Sequence, residues 1–142
     1  MNLIETIYCS QYYELKKSGR DPMKGRLNGT LLSATILILG IISVAVILNK
    51  MLPGHFLSRF FSGAEDTGLS GKSMGKVLGA LALLIIGGLL NFTIGSKTNY
   101  EKKIMTWERM PEHELEGTIK TSLKIFGFTF GVFLLIIVAG FV

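Results

Sequence analysis

Three apolar blocks, each about twenty residues long, punctuate a chain that is otherwise mixed in polarity. They are TLLSATILILGIISVAVILN (Thr30 to Asn49), KVLGALALLIIGGLLNFTIG (Lys76 to Gly95) and LKIFGFTFGVFLLIIVAGFV (Leu123 to Val142). A helix rises about 1.5 Å per residue, so roughly 20 apolar residues cross a hydrocarbon core of about 30 Å. No charge lies inside the apolar stretches; Lys76 and Lys124 sit at ends, from which their ammonium groups reach the interface. Lipid offers no partners to backbone N–H and C=O groups, which a helix satisfies internally. The alternating ten-residue segments of a membrane β-barrel are missing from the pattern. The expectation is an all-α integral membrane protein with three transmembrane helices.

The flanking segments have patterns of their own. Leu3, Ile4, Ile7, Tyr8, Tyr12 and Leu15 recur at helical spacing, with Glu5, Glu14 and Lys16 away from them. This predicts an N-terminal amphipathic helix over Met1 to Lys17, lying along the headgroups or docked on a partner or on the chain's own spans. Ser18-Gly19 should stop it, and Arg20-Asp21-Pro22 should turn the chain. Asn28 or Thr30 is then placed to cap the first span. The division is residues 1–27, an N-terminal juxtamembrane segment, and residues 28–142, a three-helix membrane domain.

Between the first two spans, Pro53-Gly54 opens a loop in which Phe56, Leu57, Phe60 and Phe61 suggest a short half-helix on the outer interface. A glycine-rich polar stretch follows. Between the second and third spans, Tyr100, Ile104 and Trp107 stand among charged residues, consistent with the second helix running on past the membrane. Pro111 should open a new helix, with Glu112, Glu114 and Glu116 near its positive end. The predicted shape is a cytoplasmic helical hairpin extension between spans two and three.

Charge orients the picture. Lys16, Lys17, Arg20, Lys24 and Arg26 precede the first span, and Lys97, Lys102, Lys103, Arg109, Lys120 and Lys124 lie between the second and third. The other connection holds only Lys50, Arg59, Lys72 and Lys76. The positive-inside rule places the N-terminus in the cytoplasm and the C-terminus on the opposite side. Net charge is +5 in 142 residues, but the basic residues flank apolar blocks, where topology and anionic headgroups explain them better than nucleic acid does. A bacterial inner membrane is the expected location. The single cysteine, Cys9, allows no intrachain disulfide. No cleavable signal peptide is visible, because the first apolar block is long enough to remain an anchor.

Candidate chemistry is sparse. Gly71-Lys72-Ser73 has the ending of a phosphate-binding loop, but Asp66 stands where that motif needs glycine, and no strand precedes it. Glu112, His113 and Glu116 share one stretch of helix, yet a metal site usually needs three or four ligands in fixed geometry. No nucleophile–base pair is evident, and no ionisable group sits at mid-depth in a span, as a proton relay requires. No cofactor or metal is expected. Small residues allow close helix approach, so Gly79, Gly87, Gly88, Gly127 and Gly131 are candidates for helix packing, of the second and third spans on each other or on a partner. Asn91, Thr93 and Thr129 are intramembrane polar groups able to bond across helices. These features favour a structural or accessory subunit rather than an enzyme. Its partners would be the lipid bilayer and other membrane subunits or further copies of itself. The alternative is a homo-oligomeric channel, small transporter or membrane-perturbing effector.

Overall fold

The computed structural model describes residues 1–51 and 71–140, and the described residues form five α-helices. They are α1 (Leu3–Lys17), α2 (Gly25–Met51), α3 (Gly71–Phe92), α4 (Lys97–Trp107) and α5 (Glu112–Gly140). The expected outer-interface half-helix at 56–61 lies outside the described residues. Gly71-Lys72-Ser73 begins α3 rather than a loop.

Local chemistry sets the ends of α1. The Asn2 side chain accepts the Glu5 N–H at 2.8 Å as N-cap, and Glu5 lies in the positive first turn. At the other end Gly19 takes φ +68°, with Gly19 N–H on Lys16 O at 3.1 Å and Arg20 N–H on Leu15 O at 2.9 Å. This is the paired-bond stop that a left-handed glycine permits, as Ser18-Gly19 implies. Asp21 then accepts the Met23 N–H at 2.9 Å and starts a 3-10 turn over Pro22–Lys24. That turn feeds directly into α2 at Gly25. Asn28 and Thr30 therefore lie inside the helix and do not cap it: Thr30 Oγ1 donates back to Arg26 O at 2.9 Å.

Two helices are long and apolar enough to cross a bilayer, one over Pro22–Asn49 and one over Glu112–Ala139. The second block is different. It passes only as a pair of helices, Lys76–Phe92 and Lys97–Trp107, bent by 62°. The expected straight extension of the second span is thus corrected to a corner. Thr93 Oγ1 folds back on Leu89 O and Leu90 O at 3.1 and 3.0 Å, and Gly95 N–H reaches Leu90 O at 2.9 Å, ending α3. Ser96 caps α4 by accepting the Asn99 N–H at 3.3 Å, while Asn99 Nδ2 holds Thr93 O at 2.7 Å. After Pro111, by contrast, α5 runs unbroken for 29 residues, about 43 Å.

The long helices form an open row. Helix α2 packs against both α3 and α5, which among the described residues make no comparable contact with each other. Among the described residues, then, the second and third apolar blocks each pack on α2 and not on each other, which leaves a partner as the surface their glycines would meet. Helix α1 lies across the bases of α2 and α5, with α4 closing over it. Its central girth is buried all round, from Thr6 to Ser10 and at Tyr12, Tyr13 and Leu15. Of the alternatives open to this helix, the structure shows docking on the chain's own helices.

Candidate functional site

Where α1, α4 and the bases of α2 and α5 meet, Tyr8, Cys9, Tyr12, Tyr13, Tyr100, Trp107 and Leu115 form the core of a small platform. Tyr100 meets Tyr8 with ring centroids 6.1 Å apart and meets Trp107 edge-on at 5.7 Å, and Tyr12 tilts over Trp107 at 5.6 Å. Such pairs stabilise by about 0.5–1.5 kcal/mol beyond the area they bury. The aromatic cluster explains why α4 turns away from the axis of α3: a straight extension would carry Tyr100 and Trp107 away from α1.

Polar bonds fix the cluster's register. Tyr8 Oη and Thr30 Oγ1 are 2.6 Å apart, and Tyr100 Oη donates to Pro22 O at 3.2 Å. Tyr13 Oη donates to Glu112 at 2.9 Å and Lys17 Nζ to Glu116 at 2.8 Å; Lys103 Nζ donates to Glu5 at 2.7 Å. Lys17 lies in the last, negative turn of α1, Glu5 in its positive first turn and Glu112 in the first turn of α5, so these charges also suit their own helix dipoles. Hydrogen bonding to Lys17 holds the Glu116 carboxyl below its ordinary range, and the same bond raises the Lys17 ammonium.

Three glycines are structural hinges of this packing. A Cβ on Gly29 would stand 2.7 Å from the Tyr8 ring; on Gly25, 2.5 Å from Tyr100 Oη and 3.0 Å from the Tyr12 backbone. On Gly95 it would press on Thr30 Oγ1 and Tyr8 Oη, both at 2.9 Å. The chain at the bend therefore rests directly on the α1–α2 hydrogen bond.

The residues singled out in sequence lie elsewhere. Among the described residues, a Cβ on Gly79, Gly87, Gly88, Gly127 or Gly131 would meet nothing within 4 Å. Gly79 instead opens a cavity of about 330 Å³ between α2 and α3, lined by Ile38, Ile41, Ile42, Leu78, Ala82 and Ile86. Asn91 is exposed near the end of α3 and Thr93 just beyond it, and Thr129 borders a groove of about 610 Å³ with Leu3, Ile36 and Gly40. Faces turned away from α2 are open on both flanking helices: Leu84 is 71% exposed on α3, and Phe128 and Leu135 are 75% and 70% exposed on α5.

Most polar groups in the platform are engaged in holding it together, although the buried Trp107 indole N–H has no hydrogen-bond partner among the described residues. Glu112 and Glu116 anchor α1, while His113 is exposed beside them. Among the described residues, no three His, Cys, Asp or Glu side chains gather as a metal site would require. Burial pushes the Cys9 thiol up to about 11, opposed by its hydrogen bond with Thr118. A thiol at that value is almost wholly protonated at neutral pH and is a poor nucleophile. Comparison with protein-family models, curated proteins and solved structures finds no match to this chain.

Proposed function

We propose that the chain is a three-span integral membrane protein acting as a structural or accessory subunit, through contacts between helices. Helices α2 and α5 supply two spans. The third is α3: its 22 residues extend about 33 Å, whereas α4 carries Lys97, Glu101, Lys102 and Lys103, which belong outside the hydrocarbon. The bend then marks the membrane boundary, and the basic residues put the aromatic platform and N-terminus in the cytoplasm, with a bacterial inner membrane the expected setting. A cysteine introduced at the exposed Met105 should react with an impermeant maleimide in inside-out vesicles and not in intact cells; the reverse would invert the topology.

The observation carrying the functional reading is the open row. Helices α3 and α5 are both seated on α2, and each has a long apolar face that no described residue covers, beside a firmly built platform. Within lipid, helix association gains from close side-chain packing and interhelical hydrogen bonds rather than from the hydrophobic effect. An open row offers more such surface to a partner than a closed bundle. Gentle detergent extraction, native electrophoresis and mass spectrometry of whatever migrates with this chain test the reading. Stoichiometric membrane proteins in the same band support it; the chain migrating only with lipid or with itself would reject it.

A further inference from the structure

Helix α3 grips α2 unevenly along its length. Toward its N-terminal end a cavity of about 330 Å³ lies between Ile38, Ile41 and Ile42 of α2 and Leu78, Ala82 and Ile86 of α3. At the other end the packing is close. Leu90 is buried, and a Cβ on Gly95 would stand 2.9 Å from both Thr30 Oγ1 and Tyr8 Oη. Helix α3 is thus held at the corner and loosely seated above it.

The corner itself is braced. Asn99 Nδ2 holds Thr93 O at 2.7 Å, Gly95 N–H holds Leu90 O at 2.9 Å, and Ser96 caps α4, so α3 and α4 turn as one piece bent by 62°. The arms are about 33 and 16 Å long, so a shift at the far end of α3 moves Trp107 about half as far. Helix α4 meets α1 far less extensively than α2 and α5 do, through Tyr100 on Tyr8, Trp107 on Tyr12 and Lys103 on Glu5. One of these contacts carries a penalty. The Trp107 indole N–H is buried with no partner among the described residues, which disfavours the closed arrangement and is relieved when α4 lifts.

We propose that the bent α3–α4 unit is a lever pivoting at Gly95 on the Tyr8–Thr30 contact: displacement of α3 from α2 within the bilayer lifts α4 from α1 and loosens the docking of α1. The coupling is reciprocal, so release of α1 also frees α3. It goes beyond the accessory role and does not depend on any partner. The chain migrating alone would leave the lever standing, and failure of the lever would leave the accessory role standing.

Alkylation of the fully buried Cys9 by N-ethylmaleimide, in the full chain in native membranes, tests it, with intact mass as the readout. Ile86→Ala enlarges the α2–α3 cavity and should accelerate labelling at least about fivefold, the lower end of coupling between distinct sites. Leu81→Ala, on the same helix but outside the cavity, should leave the rate unchanged. Ala82→Leu fills the cavity and should slow labelling, a change that misfolding does not produce. Asn99→Ala removes the brace to Thr93, so it should blunt the Ile86→Ala effect by more than the roughly twofold departure allowed to independent sites. A rate indifferent to both Ile86→Ala and Ala82→Leu, equal acceleration by Leu81→Ala, or additive effects of Ile86→Ala and Asn99→Ala would each overturn the proposal.

Discussion

Replacing Tyr8 by alanine removes a fully buried ring from the point where α1, α2 and the α3–α4 corner meet. The ring lies against Gly29 and Tyr100, and its hydroxyl is bonded to Thr30. Thr30 keeps its bond to Arg26 O, so the substitution leaves a cavity but no stranded donor. Truncating a core aromatic residue to alanine costs about 3–5 kcal/mol. That loss falls on the docking of α1, because α2 and α5 retain their own contact. Cys9, the next residue and wholly buried, reports it: alkylation requires α1 to open, so its rate follows the opening equilibrium. With each 1.4 kcal/mol worth tenfold, maleimide labelling at neutral pH should accelerate by about two to three orders of magnitude. Tyr8→Phe, which loses one hydrogen bond worth about 1 kcal/mol, should accelerate it only about fivefold. Labelling followed by intact mass in detergent makes the comparison. A wild-type thiol that reacts as fast as a free one, or a Tyr8→Ala change below about tenfold, would refute the buried-platform geometry.

Gly29→Ala should speed the same labelling, because overpacking of about 1–3 kcal/mol against the Tyr8 ring outweighs the roughly 1 kcal/mol alanine gains in helix propensity. Gly127→Ala and Gly131→Ala, with open space at Cβ, should leave labelling unchanged; the reverse order would show that the glycines have been assigned to the wrong faces. Burial raises the Cys9 thiol to about 11 from its ordinary 9.0, and raises Tyr8 and Tyr100 as well. The unfolded segment ionises first, so α1 docking should be insensitive to these groups below pH 9.0 and weaken from there upward. The emission of Trp107, the only tryptophan, should follow that transition; a docked state that loosens before the thiol's ordinary value would contradict it. Glu116 is held down by Lys17, so its contribution is present above the ordinary carboxylate range and disappears as pH falls through its lowered value, which Glu116→Gln should abolish.

Long apolar runs are the most legible feature of such a chain, since twenty uncharged residues leave few folds other than a long helix. Helix α2 accordingly contains the first block, and α5 contains the third as far as Gly140. Local stops and starts were equally readable at Gly19, where φ must be positive, and at Pro111, after which acidic residues suit a helix N-terminus. Side-chain partners across elements were not. The one-faced pattern of α1 reveals Tyr8 and Tyr12 but not Cys9, Ser10 or Tyr13, which are buried because neighbours press on several sides at once. The corner after Phe92 depends on Tyr100 and Trp107 finding α1, about ninety residues away in the chain. Gly25 and Gly29 share the spacing of Gly127 and Gly131, yet among the described residues only the first pair is covered. Spacing shows that a face permits close approach; the tertiary arrangement decides whether anything approaches it.

The claim that this protein works through contact between helices is tested most directly on α5, at Leu135, which is 70% exposed and faces away from α2. A photo-crosslinking residue placed there and activated in native membranes should form a discrete adduct with a membrane protein, whose mass identifies the partner. Adducts with lipid alone, at every position along that face from Phe128 to Val138, would contradict the account.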